Sequence, residues 1–111
     1  MKFLILAYGH ERDWNVLTKE QQDALLVQDK VLRDRGDIVA AVKQEQAWVV
    51  KAWDGTAHVT NGAFGEAGLP LAGFGIIEAR DLDEAVALVK DTPCARAKGA
   101  VEIRPILASN V

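Results

Sequence analysis

Cysteine, histidine and basic clusters are scarce in this chain, and each scarcity removes a class of function. Cys94 is the only cysteine among 111 residues, so no intramolecular disulfide exists. One thiol fits a reducing compartment, and a cytoplasmic protein is expected. The two histidines, His10 and His58, lack the spacing of a zinc site. Neither a metal nor a cofactor is therefore expected. The formal charge is −3, with no Lys/Arg-rich block, so the electrostatic footprint of a nucleic-acid binder is missing. The apolar opening ends at Tyr8. It is far too short to span a bilayer and carries no small-residue cleavage site, so a soluble, unprocessed chain without a membrane partner is expected. Gly62, Gly65 and Gly68 do not lead from a strand into a helix, as a phosphate-binding glycine loop requires.

What is present is a core and a regular alternation of elements. Half of the residues are apolar, enough for a single domain over 1–111 without disulfides. Lys2 to Tyr8 reads as a strand covered on both faces. A polar loop, Gly9 to Leu17, follows. Thr18-Lys19-Glu20-Gln21 has the form of a capping box. Leu17, Ala24 and Val31, with Leu25 and Leu32, then recur as one helical stripe, and Gly36 is placed to end that helix. Asp37 to Lys43 reads as a second strand. Asp54-Gly55 between two β-prone runs predicts a hairpin from Trp48 to Thr60, with Trp53 opposite Thr56, Lys51 opposite His58 and Val50 opposite Val59. Leu71 to Ala79 reads as a central strand. Asp81 caps a helix that ends near Asp91, before Pro93. Ala100 to Arg104 is the last strand, with Pro105 at its end.

Two β-α-β halves with helices on one side predict an α+β ferredoxin-like sandwich, an antiparallel sheet with two helices on one face. The hairpin register separates an apolar side (Trp48, Val50, Ala52, Ala57, Val59) from a mixed side (Val49, Lys51, Trp53, Thr56, His58, Thr60). The first is expected beneath the helices. The second is too polar for a core and carries an exposed tryptophan, so a homodimer that covers it is expected.

His58 is the candidate catalytic base. Its ordinary titration range suits proton transfer, and Lys51 opposite it would favour the neutral ring; an exposed or interface histidine is the alternative. Candidate ligand-binding residues are Tyr8 and His10 at the end of strand one, Lys51 on the mixed side, and Asn61, Phe64 and Glu66 along the glycine-rich loop. Asn61 equally serves a turn, and Phe64 equally anchors the loop. Cys94 reads as a small buried hydrophobe.

Several segments together resemble the YCII-related family, DGPF type. They are Phe3 to Gly9, Val59 to Glu66, Ala72 to Glu78, Asp81-Leu82-Asp83-Glu84-Ala85 and Val101-Glu102-Ile103-Arg104-Pro105, in order and over nearly the whole chain. The resemblance implies a dimeric α+β barrel of ferredoxin-like subunits, with a pocket between sheet and subunit interface. It also implies relatives that include a dehydrochlorinase acting on a chlorinated aromatic diol, and others that accompany stress-response sigma factors. The signature Asp-Gly-Pro-Phe reads Asn61-Gly62-Ala63-Phe64 here, and the first long helix, Thr18 to Arg35, lacks the histidine that many relatives carry. The expected function is binding of a small organic molecule near the dimer interface. The alternatives are a lyase or isomerase using His58 as general base, and a regulatory module linked to stress-response sigma factors.

Overall fold

A computed structural model describes residues 1–65 and 68–111. The chain runs β1 (Lys2–Tyr8), α1 (Glu11–Asn15), α2 (Lys19–Asp34), β2 (Ile38–Ala41), β3 (Trp48–Lys51), β4 (His58–Asn61), β5 (Leu71–Glu78), α3 (Leu82–Val89), α4 (Pro93–Arg96) and β6 (Ala100–Pro105). The four longer-range strands form an antiparallel sheet in the order β2-β5-β1-β6, with two β-α-β units, β1-α2-β2 and β5-α3-β6. This is the α+β ferredoxin-like arrangement that the element order predicts. Pro105 is tolerated because β6 lies at a sheet edge.

Local signals set the helix limits. Thr18 Oγ1 accepts from Gln21 N–H at 3.1 Å while Gln21 Oε1 accepts from Thr18 N–H at 2.9 Å, a complete capping box. Gly36, at φ +94°, ends α2: its N–H donates to Arg33 O and Asp37 N–H donates to Leu32 O, the paired bonds of a Schellman motif. Asp37 then ties this end to β5. Its carboxylate accepts from Glu78 N–H at 3.0 Å, and Arg35 donates to Glu78 O at 2.6 Å. Asp81 caps α3 by accepting from Glu84 N–H at 2.9 Å.

Alternation along the paired strands defines the two faces. Phe3, Ile5 and Ile77, with Val39 and Ile103 packed against them, face the helices; Leu32, Ala85 and Val89 meet them from above. Leu4, Leu6, Ile38, Phe74 and Ile76 fall on the opposite, uncovered face by register.

The hairpin departs from expectation in three ways. The pairs Lys51–His58 and Val50–Val59 form as predicted. The strands stop there, however, so Trp53 and Thr56 do not pair. Instead Gly55 N–H donates to Ala52 O, which places Trp53 and Asp54 at the centre of the turn and Gly55 after them at φ +84°. Asp54 Oδ1 accepts from Thr56 N–H at 3.0 Å and holds this wider turn. Second, β3 and β4 form a two-stranded sheet of their own. Third, the apolar side is not under the helices: Trp48 is 63 % and Val50 62 % exposed. The radius of gyration is 15.5 Å, against about 13 Å for a compact chain of this length, as a projecting ribbon requires.

Smaller differences have local causes. The polar segment after β1 folds a short helix, α1, that buries no residue, and Pro93 opens α4 at a position where its missing N–H costs nothing.

Candidate functional site

β1 and β5 pair in a register that sorts side chains by size. At one end Phe3 lies opposite Ile77, and both are fully buried. At the other end Ala7 lies opposite Gly73, and Ile5 opposite Gly75. The glycines are dictated by space. A Cβ on Gly73 would fall 2.5 Å from Ala40 O, and one on Gly75 would fall 2.8 Å from Ile38 O, so β2 could not pair as closely. The small end leaves a cavity of about 510 Å³ between sheet and helices, within the roughly 300–1,000 Å³ usual for small-molecule sites.

Three helices roof this cavity. α2 contributes Leu26, Asp29 and Arg33; α4 contributes Cys94, with Ala97 at its C-cap; α1 contributes Trp14, with His10 and Glu11 at its start. α1 is held to α2 by Gln22, whose Nε2 donates to Trp14 O at 2.9 Å. His10 is the N-cap of α1, yet its side chain makes no capping bond, so the imidazole remains available to the cavity.

The inward side of α2 is more polar than the sequence stripe suggests. Val31 is 40 % exposed, whereas Gln22, Gln28 and Asp29 are half-buried with Leu25 beside the buried Leu32. Gln22 donates to Trp14 O and Gln28 donates to Leu88 O. Asp29, which can only accept when ionised, gains no hydrogen bond among the described residues. Burial raises its pKa above the ordinary carboxylate value, and the Arg33 guanidinium one turn later offsets this only in part. Burial, and then the charge of Asp29, raise the Cys94 thiol. The thiol is thus protonated at neutral pH, and a thiolate nucleophile is not available there.

The sign of the Asp29 shift makes a prediction. A carboxyl that titrates higher when folded binds more protons in the native state, so its contribution to stability falls as pH rises from its unfolded value through the raised one. The penalty is present above the raised value. Asp29→Asn is expected to raise the melting temperature at pH 7 and to lose that advantage toward pH 3. A melting-temperature difference that does not depend on pH would contradict this.

Of the residues singled out from sequence, the cavity gathers only His10. Tyr8 ends β1 beside a register irregularity, opposite Leu71 and Ala100, and does not line it. Lys51, His58 and Phe64 come together on the mixed side of the hairpin. Lys51 Nζ lies 5.4 Å from the ring centroids of both Trp53 and Phe64. His58 Nε2 lies 3.2 Å from Asp54 Oδ2. Thr56 N–H, and then His58, hold the Asp54 carboxyl below its ordinary value. Asn61 is a strand residue opposite Trp48, and the turn conformation falls to Gly62 at φ +110°. Glu66 lies outside the described residues. The cavity residues that the sequence reading missed, Asp29 and Trp14, carry one usable signal: a carboxylate three residues before Leu32, on the buried side of an amphipathic helix.

A model of the YCII-related domain matches residues 1–110. The chain belongs to the YCII-related family. No curated protein matches the sequence. Among solved structures, the chain is similar to 5-chloro-2-hydroxyhydroquinone dehydrochlorinase (TftG) from Burkholderia phenoliruptrix AC1100, in complex with 2,5-dihydroxybenzoquinone; the identity is 19 %, the TM-score 0.51, and the match covers 98 % of this chain and 96 % of that one. At that identity the likeness speaks for the fold, and the ferredoxin-like topology agrees with it. Among the described residues of this family member, no helix is long and apolar enough to cross a membrane, and no three His, Cys, Asp or Glu side chains gather as a metal would need.

Proposed function

We propose that the chain binds a small, one-ring organic molecule in the cavity between its sheet and its helices. The carrying observation is the cavity itself: about 510 Å³, walled largely by apolar side chains, with Asp29 and His10 among the few polar groups on its surface. The single-ring ligand of the structural neighbour is of a size that such a space takes. We further propose that a second copy of the chain covers the bare hairpin, so that the working unit is a homodimer.

A lyase- or isomerase-type activity is the second reading. It rests on the Asp54–His58 pair, in which a carboxylate orients an imidazole as a general base requires. Both side chains are about two-thirds exposed, and the depression they border with Lys51 and Trp53, about 360 Å³, is smaller and more open than the cavity, so the cavity is the stronger candidate.

One experiment separates the two sites. One-ring phenols, quinones, acids and amines are screened by thermal shift and calorimetry against the native chain, Ala7→Phe and His58→Ala. Ala7 faces the empty end of the sheet, so a phenyl group there fills the cavity. Binding is expected to survive in His58→Ala and to weaken at least about a hundredfold in Ala7→Phe, as the loss of a ring's buried area implies. The reverse pattern would move the site to the hairpin.

A further inference from the structure

Asp29 sits where an uncompensated charge is least welcome. It is half-buried on α2, it lines the cavity, and among the described residues no donor reaches it. Its two polar neighbours on the same helix face are satisfied by carbonyl oxygens of the protein, Gln22 by Trp14 O and Gln28 by Leu88 O. The Asp29 carboxylate oxygens are not sealed from solvent, so water is the partner left to them, and a ligand that fills the cavity displaces that water and must supply a donor in its place. The charge around the site points the same way. Asp29 and Glu11 stand against a single fixed cation, Arg33, and Arg33 is exposed to solvent whereas Asp29 is half-buried. The walls also include Trp14, whose ring face favours a cation and not an anion.

We propose that Asp29 is the anchor for a protonated amine, so that this cavity takes a cationic one-ring amine and discriminates against the corresponding acid. The inference rests on the cavity reading above and adds the chemical class of its ligand. An ammonium group donates to the carboxylate in a charge-assisted bond and restores the environment that burial removed. A carboxylate ligand would bring like charge against Asp29 and Glu11.

Three isosteres serve as probes at pH 7: benzylamine, benzyl alcohol and benzoate, titrated calorimetrically into the native chain and Asp29→Asn. Benzylamine is expected to bind the native chain about tenfold or more tightly than benzyl alcohol, the range of one hydrogen bond to a charged group, with benzoate weakest. Asp29→Asn is expected to abolish the preference for the amine over the alcohol. Equal or tighter binding of benzoate, or an amine preference that survives in Asp29→Asn, overturns the inference while leaving the cavity as the site. Failure of all three to bind overturns the cavity reading, and the inference with it. Should Asp29→Asn fold poorly, the ranking of the three probes on the native chain alone decides.

Discussion

Gly99→Ala is expected to lower the melting temperature by roughly 10–20 °C, from a destabilisation of about 3 kcal/mol. The reason is space and not backbone freedom, since Gly99 does not have a positive φ. It lies where α4 turns into β6, beside the last residue of β1. A Cβ there would be driven onto the Tyr8 carbonyl oxygen and would lie 2.6 Å from the Cys94 carbonyl oxygen. Both obstacles are main chain, so no rotamer change relieves them. Either β1 loses its pairing with β6 at Tyr8, or α4 lifts from the sheet. Because α4 carries Cys94 on the cavity roof, with Ala97 at its C-cap, lifting it also opens the site, and ligand binding is expected to fall with stability. Gly65→Ala is the control, because nothing among the described residues lies within 4 Å of its Cβ position. Thermal unfolding of both variants checks the argument; a Gly99→Ala chain that melts like the native one would mean that the close packing of α4 on β1 is wrong.

What the sequence made legible was short in range. The capping box at Thr18, the cap at Asp81 and the left-handed stop at Gly36 are fixed by residues within five positions of one another. The hairpin pairs Lys51–His58 and Val50–Val59 are local too, seven and nine positions apart. The ferredoxin-like order followed from the succession of these elements. The turn was misjudged because Asp54 spends its carboxylate on Thr56 N–H and His58, which favours a wider loop than aspartate-glycine alone suggests. The detachment of the hairpin was not legible at all. Alternation tells which side of a ribbon is apolar, and Trp48, Val50 and Val59 do share a side, but nothing in it names the surface that covers them.

The site escaped notice for a related reason. The cavity is made by what Ala7, Gly73 and Gly75 lack, and it exists only because a strand at the start of the chain pairs with one that begins at Leu71. Glycines on a strand signal close approach, but not which side is left empty. Asp29 was passed over because the stripe Leu17, Ala24, Val31 places the buried side of α2 a fraction of a turn away from where packing puts it, toward Gln28, Asp29 and Leu32. Histidines and a glycine-rich loop attract attention for their chemistry; here His58 proved to sit on the ribbon and only His10 at the cavity.

Trp48→Asp is expected to convert a dimer into a monomer. An isolated two-stranded ribbon is at best marginally stable in water, yet β3 and β4 pair only with each other and hold Trp48, Val50 and Val59 on one side at 62–63 % exposure. An aromatic of this size hides about 150–250 Å² when covered. At ~25 cal/mol/Å² the exposed part of Trp48 is worth roughly 3 kcal/mol gross, and a two-fold axis counts it twice. Placing a carboxylate at both copies removes that gain and adds desolvation of charge, so the dimer dissociation constant is expected to rise about a thousandfold or more. Because Trp48 lies outside the hydrophobic core, the monomer that results keeps the four-stranded sheet and its helices, which circular dichroism would report as an unchanged spectrum. Sedimentation of the native chain and of Trp48→Asp over micromolar concentrations checks both statements. A native chain that sediments as a monomer throughout would leave the ribbon without the cover that its composition demands, and would require another protein to supply it.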